Sequence, residues 1–367
     1  MQNNDNLTRE MVFCLMFISI IGNIVYSHTW IDDFTDRSAW LASLAGILLI
    51  IPFSVWVLYL GQSCSQATVF DMVDKCFGKI VSGTLCIPFI LINILIAVAQ
   101  LNMFTEMVKV FFLPNTSCCL IMIILVVIGM TFISNGITDF ARLVEILTLL
   151  GLFLYFTSFV FAFPNNFNVA YIIPVFDTSL FGFIRGVIFI TGEACECLFL
   201  LMIIIRFIPD PLKHYKWVVY GICMSGIVFS VAILFIIAML SPELAKRIAF
   251  GGVNAAKLLQ VGNYVRGLEI FIFCTYDFIA LGKIAACMYC CWISMQKLFG
   301  NRKLNLQLSI SALLILVPSL WLNSYNKAYF LAVYLGNYVL LPFAVLMLGL
   351  ATISVVLENK KMGSVSK

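Results

Sequence analysis

The chain has 367 residues, 62% of them hydrophobic and only 11% charged, with a formal net charge of +4 and a mean hydropathy of +1.06. Soluble domains carry about a quarter charged residues and somewhat under half apolar ones, so a water-exposed globule is excluded. The small positive charge is spread over connecting segments with no basic run or aromatic-interleaved stripe, which excludes a nucleic-acid binder.

A membrane-spanning helix needs about 20 mostly apolar residues, because each adds about 1.5 Å against a hydrocarbon core about 30 Å thick. On that ruler the chain holds ten spans. The first, 11–30, is long enough to cross and no small-x-small site follows it, so it is a membrane helix rather than a cleaved leader. Gly22-Asn23 interrupts it near the middle. Asp32-Asp33 and Asp36-Arg37 separate it from the second span, 39–60, after which Gly61–Gly83 forms a long, partly amphipathic connector. The third span, 84–112, is unusually long; Asn93, Gln100 and Asn102 are polar groups able to line a cavity, and Glu106 and Lys109 lie toward its outer end. Pro114-Asn115 precedes the fourth span, 117–134. The fifth, 141–163, opens with Arg142 and Glu145, whose i, i+3 spacing predicts a structural clamp, and ends at Pro164-Asn165-Asn166.

The sixth span, 179–207, carries Arg185 toward its outer end, Gly192-Glu193 at its centre and Glu196 one turn further on the same side. Pro209-Asp210-Pro211 leads to the seventh, 217–240, and Ser241–Arg266 is a second long connector. In the eighth, 267–294, Glu269, Tyr276 and Lys283 recur every seven residues and line one stripe, with Asp277 beside it. The ninth and tenth spans are 305–322 and 329–357, leaving a tail, 358–367. Lys and Arg accumulate in the segments on the N-terminal side, among them Lys75, Lys79, Lys213, Lys216, Arg302 and Lys303, which predicts that both termini and the tail are cytoplasmic.

The halves echo one another. Each puts its long connector between its second and third spans, and each has a long third span (84–112 and 267–294). Five spans per half is odd, so the second copy is inverted. The expectation is an all-α integral membrane protein: one transmembrane domain over 1–367, built as two inverted five-helix repeats, 11–163 and 179–357. Gly22-Asn23 and Gly192-Glu193 fall at corresponding depths, which predicts that helices one and six are broken at the midplane. Half-helix ends and freed carbonyls there form a ligand site, where the alternative is a glycine packing closely on a neighbouring helix.

Ionisable groups at membrane depth cost several kcal/mol and require a reason. Glu193 is the first candidate for holding a ligand ammonium, with Glu196 as its neighbour. Asp277 is the second candidate, and Lys283 is the counter-ion of one or the other. Gly22, Asn23, Gly192 and Tyr276 complete the expected ligand-binding set, and Arg142, Glu145, Glu269 and Lys283 the structural or coupling charges. Of thirteen cysteines most lie in apolar runs, where they behave as small hydrophobes, including Cys287-x-x-Cys290. The only histidines, His28 and His214, fall near the span edges and are expected to be solvated. No metal site, cofactor or nucleophile motif is predicted, so an enzyme is the weakest reading.

Assembled in order, these residues resemble the B subunits of bacterial spore nutrient-germinant receptors, a family within the amino acid–polyamine–organocation transporter superfamily. The resemblance rests on Asp36-Arg37-Ser38-Ala39-Trp40, on Gly136 with Ala141-Arg142 and Glu145, on Gly192-Glu193, and on the Arg266, Glu269, Lys283 spacing. Tyr276 stands where the family has tryptophan, and Tyr26-Ser27 where helix one usually has proline. The resemblance implies a subunit of the spore inner membrane that senses a small nutrient (an amino acid, sugar or nucleoside). Its partners would be a larger membrane subunit and a lipoprotein. The fold alone also accommodates a proton- or sodium-coupled amino acid permease.

Overall fold

The computed structural model describes residues 6–64, 67–162, 167–176, 178–259, 267, 269–300 and 304–365, and contains helices and no strand among them. Arg266 and the Pro164-Asn165-Asn166 turn lie outside the described residues. Helix one comprises Arg9–Ile21 and Ile24–Thr35, and helix two Ala39–Leu48 and Ile50–Ser63. Helix three is Val69–Phe111, helix four Cys118–Ser134 and helix five Ile137–Ala162. Helix six comprises Leu180–Ala194 and Glu196–Ile204, helix seven is Tyr215–Leu240 and helix eight Glu269–Phe299. Helix nine is Leu304–Leu322. Helix ten runs Tyr325–Tyr334, widens through a π turn at Leu335–Val339, and continues as Leu340–Val365.

Eight of these are long and apolar enough to cross a membrane. The other two have simple reasons: Gly22-Asn23 cuts helix one into two short pieces, and helix four has only 17 residues. Outward faces carry large apolar side chains such as Ile87, Leu91, Phe153, Val160 and Phe330, which in water would be a liability and in lipid are matched to the solvent. The chain is an integral membrane protein.

The helix boundaries differ from the sequence expectation chiefly in the connectors. Residues 69–77 of the first connector are helical. Thr68 begins them with a reciprocal cap, its Oγ1 accepting from the Asp71 amide at 3.2 Å while Asp71 Oδ2 accepts from the Thr68 amide at 3.0 Å. The chain then turns at Gly78, where φ is +81°, a conformation that favours glycine. The second connector holds two short helices, Pro242–Ala245 and Gly251–Lys257. Helix ten continues through the expected tail to Val365.

Packing carries the inverted repeat independently of loop lengths. Helix one packs on seven and helix six on two; helix eight packs on five and helix three on ten; helix eight packs on four and helix three on nine. Each of these contacts is the mate of the other when helices one to five are exchanged with six to ten. Contacts three–eight, two–seven and four–nine are their own mates. In helix six every residue from Phe189 to Ile205 is buried.

Each end of the bundle is tied by ions. At the end holding both described termini, Leu7 donates its amide to Phe207 O at 2.9 Å and Lys75 pairs with Glu358 at 3.4 Å. There Lys297, at the end of helix eight, bridges Asp71 and Asp74 of the first connector at 2.8 and 2.7 Å. At the opposite end Asp36 pairs with Lys246 of the second connector. Lys297→Ala leaves two carboxylates on one helical face without their shared cation. We expect a loss of about 1–2 kcal/mol and faster maleimide labelling of Cys76 on the freed connector. Unchanged labelling would show that the bridge does not hold the connector.

Candidate binding site at the helix-one and helix-six interruptions

Helix one loses its regular hydrogen bonding at Gly22-Asn23. The freed Gly22 carbonyl accepts from Gln100 Nε2 of helix three at 3.3 Å, and the Asn23 amide turns back to Ile20 O at 3.2 Å. Asn23 is buried and reaches across to helix six, donating from Nδ2 to the Glu193 carbonyl at 3.4 Å. Its Oδ1 accepts from the Tyr26 hydroxyl at 2.8 Å and from Lys283 Nζ.

In helix six the interruption falls at Cys195, three residues beyond Gly192, and the flanking backbone stays right-handed helical. Gly192 has a different task. A Cβ built there would fall inside the Gly336 carbonyl oxygen, so the glycine lets helix six meet the π turn of helix ten backbone to backbone. A Cβ on Gly336 would in turn lie 2.9 Å from Glu193 Cγ. The close-packing alternative is therefore the observed role of Gly192, and it positions Glu193. Gly22 likewise has no room for a side chain, because the stem of Lys283 lies against it.

Three ionisable side chains meet between the interruptions. Lys283 Nζ lies 2.7 Å from Glu196 Oε2, and both side chains are nearly inaccessible, at 2% and 7% exposure. Glu193 pairs with no cation among the described residues. Its Oε2 accepts from Ser27 Oγ, a hydroxyl that also lies 2.7 Å from the Asn23 carbonyl and has one proton for the two acceptors. Glu193 Oε1 is buried with no hydrogen-bond partner among the described residues. A buried carboxyl oxygen left without a donor costs on the order of 1–3 kcal/mol, which a ligand donor would recover. Beside the pair is a small cavity lined by Ser19, Asn93, Glu196, Lys283, Cys287 and Cys290.

The other expected residues lie elsewhere. Tyr276 is buried on the stripe of Lys283, but its hydroxyl packs against Gly252 of the second connector, and its ring borders a separate apolar cavity with Phe17, Ile21, Thr148 and Ile279. Asp277 is half-buried with no ion pair or hydrogen bond among the described residues, and takes no part in the cluster. Glu269 stands in the first turn of helix eight, about 21 Å along the helix from Lys283. Arg142 does not clamp Glu145: it is exposed and pairs with Asp139 at 3.7 Å, since the turn at Gly136 starts helix five at Ile137 and brings Asp139 into its first turn. His28 and His214 are both buried rather than solvated. Helix one continues to Thr35, and Gly251 of the second connector folds over the His28 ring, its amide donating to Nε2 at 3.1 Å.

Contributors not singled out as site residues from the sequence include Ser19, Tyr26, Ser27 and Gly336, with Cys287 and Cys290 lining the cavity. Gly336-Asn337 inside an otherwise apolar helix was the available signal for Gly336. The cysteines are all free, and no cluster able to hold a metal ion is present among the described residues.

Two inverted sets of five helices, meeting at interrupted helices around buried charges, define a polytopic membrane protein of transporter fold. The chain matches the family model for spore germination proteins over residues 6–328, and it belongs to that family. Among curated proteins of Bacillus subtilis (strain 168), it is similar to spore germination protein B2, with 25% identity over 65% of this chain and 65% of the relative. It is also similar to spore germination protein YndE, with 19% identity over 80% of this chain and 81% of the relative. The match thus spans just under two thirds of the first relative's length and about four fifths of the second's. Among solved structures it resembles Mhp1, a nucleobase-cation-symport-1 family transporter in a closed conformation with bromovinylhydantoin bound. That likeness has a TM-score of 0.69 and 13% identity, and covers 93% of this chain and 77% of the other; it shows the fold.

Proposed function

We propose that this chain is the ligand-sensing membrane subunit of a spore germinant receptor, binding a small nutrient between the interruptions of helices one and six. The observation that supports this most is Glu193, a buried carboxyl group in helix six whose Oε1 has no hydrogen-bond donor among the described residues. A ligand ammonium or other donor group completes its hydrogen bonds, and an amino acid, sugar or nucleoside carries such groups. Ligand binding then biases the arrangement of the two repeats, and no catalytic step is required. In this reading the protein resides in the spore inner membrane, with both termini cytoplasmic. Its partners are a larger membrane subunit and a lipoprotein, and its domain is one transmembrane unit of repeats 11–163 and 179–357.

Glu193→Gln keeps the shape and replaces a carboxyl oxygen with an amide donor. In spores carrying the variant, the nutrient concentration giving half-maximal germination should rise about tenfold or more, at unchanged protein abundance in the membrane. An unaltered dose–response curve would remove Glu193 from the site. The second reading, a coupled permease, draws on the transporter fold. Gradient-driven uptake of radiolabelled solute by the chain alone in proteoliposomes would favour it over sensing.

A further inference from the structure

In transporters built from inverted repeats, freed carbonyls at broken helices hold a coupling cation beside the substrate. The residues at the helix-one interruption do not fit such an ion. The Gly22 carbonyl already receives Gln100 Nε2 at 3.3 Å, and the Asn23 carbonyl receives Ser27 Oγ at 2.7 Å. Asn23 Oδ1 receives both the Tyr26 hydroxyl, at 2.8 Å, and the ammonium of Lys283. Glu196 Oε2 stands 2.7 Å from the same ammonium. Each of these oxygens already faces a proton donor, and the one named oxygen that has none among the described residues, Glu193 Oε1, is the one proposed to take the ligand's donor group. The positive charge is already present, on a side chain only 2% exposed. A second cation here would stand within a few ångströms of the first in a buried site of low dielectric, at a Coulomb cost far above that in solvent.

The way the charge arrives is also built. Lys283 comes from helix eight, which packs on helices three and five, and its stem passes over Gly22, where any larger residue would collide with it. Its ammonium joins Asn23 at the helix-one interruption to Glu196 one residue past the helix-six interruption. One covalently fixed charge therefore bridges both interrupted helices.

We infer that Lys283 is a tethered internal cation, standing where a coupling ion would otherwise bind, and that this protein engages its ligand without sodium. The inference rests on the reading of this cluster as the ligand site, and it removes sodium coupling from the permease alternative. The amine cannot leave with the solute, as a bound metal ion can.

The test uses the full-length chain in nanodiscs with radioactive Na⁺ and no nutrient. The wild-type protein should show no saturable Na⁺ binding, and its melting temperature should be the same in sodium chloride and choline chloride. Lys283→Ala opens the space and leaves Glu196 and Asn23 without their cation. The variant should be stabilised by several degrees in sodium chloride or n-propylammonium chloride relative to choline chloride. Lys283→Arg should remain indifferent to sodium. Saturable Na⁺ binding by the wild type overturns the proposal, as does a folded Lys283→Ala that neither small cation stabilises. If Lys283→Ala does not fold, the wild-type isotherm decides alone. The Glu193→Gln dose–response fails separately: an unaltered curve would refute the ligand site while leaving the sodium result standing.

Discussion

Lys283→Met should lower the unfolding free energy by about 3 kcal/mol, the largest single-residue effect expected in the protein. Methionine keeps a stem of similar length against Gly22 and removes the ammonium, so the cost comes from Glu196 left buried and unpaired rather than from a cavity. Breaking one partner of a buried pair costs several kcal/mol, whereas neutralising both is far cheaper, because the attraction between the two charges mainly repays their own desolvation. Combining Lys283→Met with Glu196→Gln should therefore recover most of the loss, leaving about 1 kcal/mol. Thermal unfolding in nanodiscs, followed by tryptophan fluorescence across the two single variants and the double, measures the coupling. A double variant no more stable than Lys283→Met would show that the two side chains do not depend on one another.

Gly192→Ala is the second. One methyl group would overlap the Gly336 carbonyl, and backbone cannot swing aside as a flexible side chain can. Helix six and the π turn of helix ten must separate, at about 1–3 kcal/mol for the overpacking. Because Gly336 also touches Glu193, the separation moves the carboxylate, and we expect a weaker nutrient response together with a lower melting temperature. Gly349→Ala, further along helix ten, is the control. Nothing lies within 4 Å of a Cβ there, and alanine favours a helix over glycine by up to about 1 kcal/mol, so that variant should be as stable as the wild type or slightly more so. Equal behaviour of the two variants would refute the close crossing.

Much of the frame was legible before any coordinates. Apolar run length set ten helices, and the matching connectors indicated the inversion that the paired helix contacts bear out. Gly22-Asn23 was visible as an interruption because a glycine beside a polar residue stands out in an apolar run. The same signal at Gly192-Glu193 marked the right helix but a site three residues early: there the glycine answers to a neighbour's backbone rather than to a break. Spacing within one helix also fails to choose between equal partners. Arg142 has a carboxylate three positions away on either side, and the start of helix five at Ile137 selects Asp139. Asp277, beside the stripe, is one of two sequence candidates for Lys283, yet six residues along a helix is about 240° of rotation after whole turns are removed, which carries the two side chains apart.

By itself, then, the sequence determined the solvent, the number of spans, the inverted halves and the short inventory of charges that had to be buried. These follow from composition and from period, which are properties of each segment alone. Which carboxylate meets the lysine was decided only by the tertiary structure. The sequence offers Asp277 or Glu193 as its partner, and the observed one is Glu196, one turn beyond Glu193 on the same side of helix six. The crossing of helix eight over Gly22, and the backbone contact of Gly192 with Gly336, bring the ammonium to Glu196 and leave Glu193 Oε1 without a donor among the described residues. Helix crossings depend on side-chain volumes from several segments at once, and no single stretch of the chain encodes them.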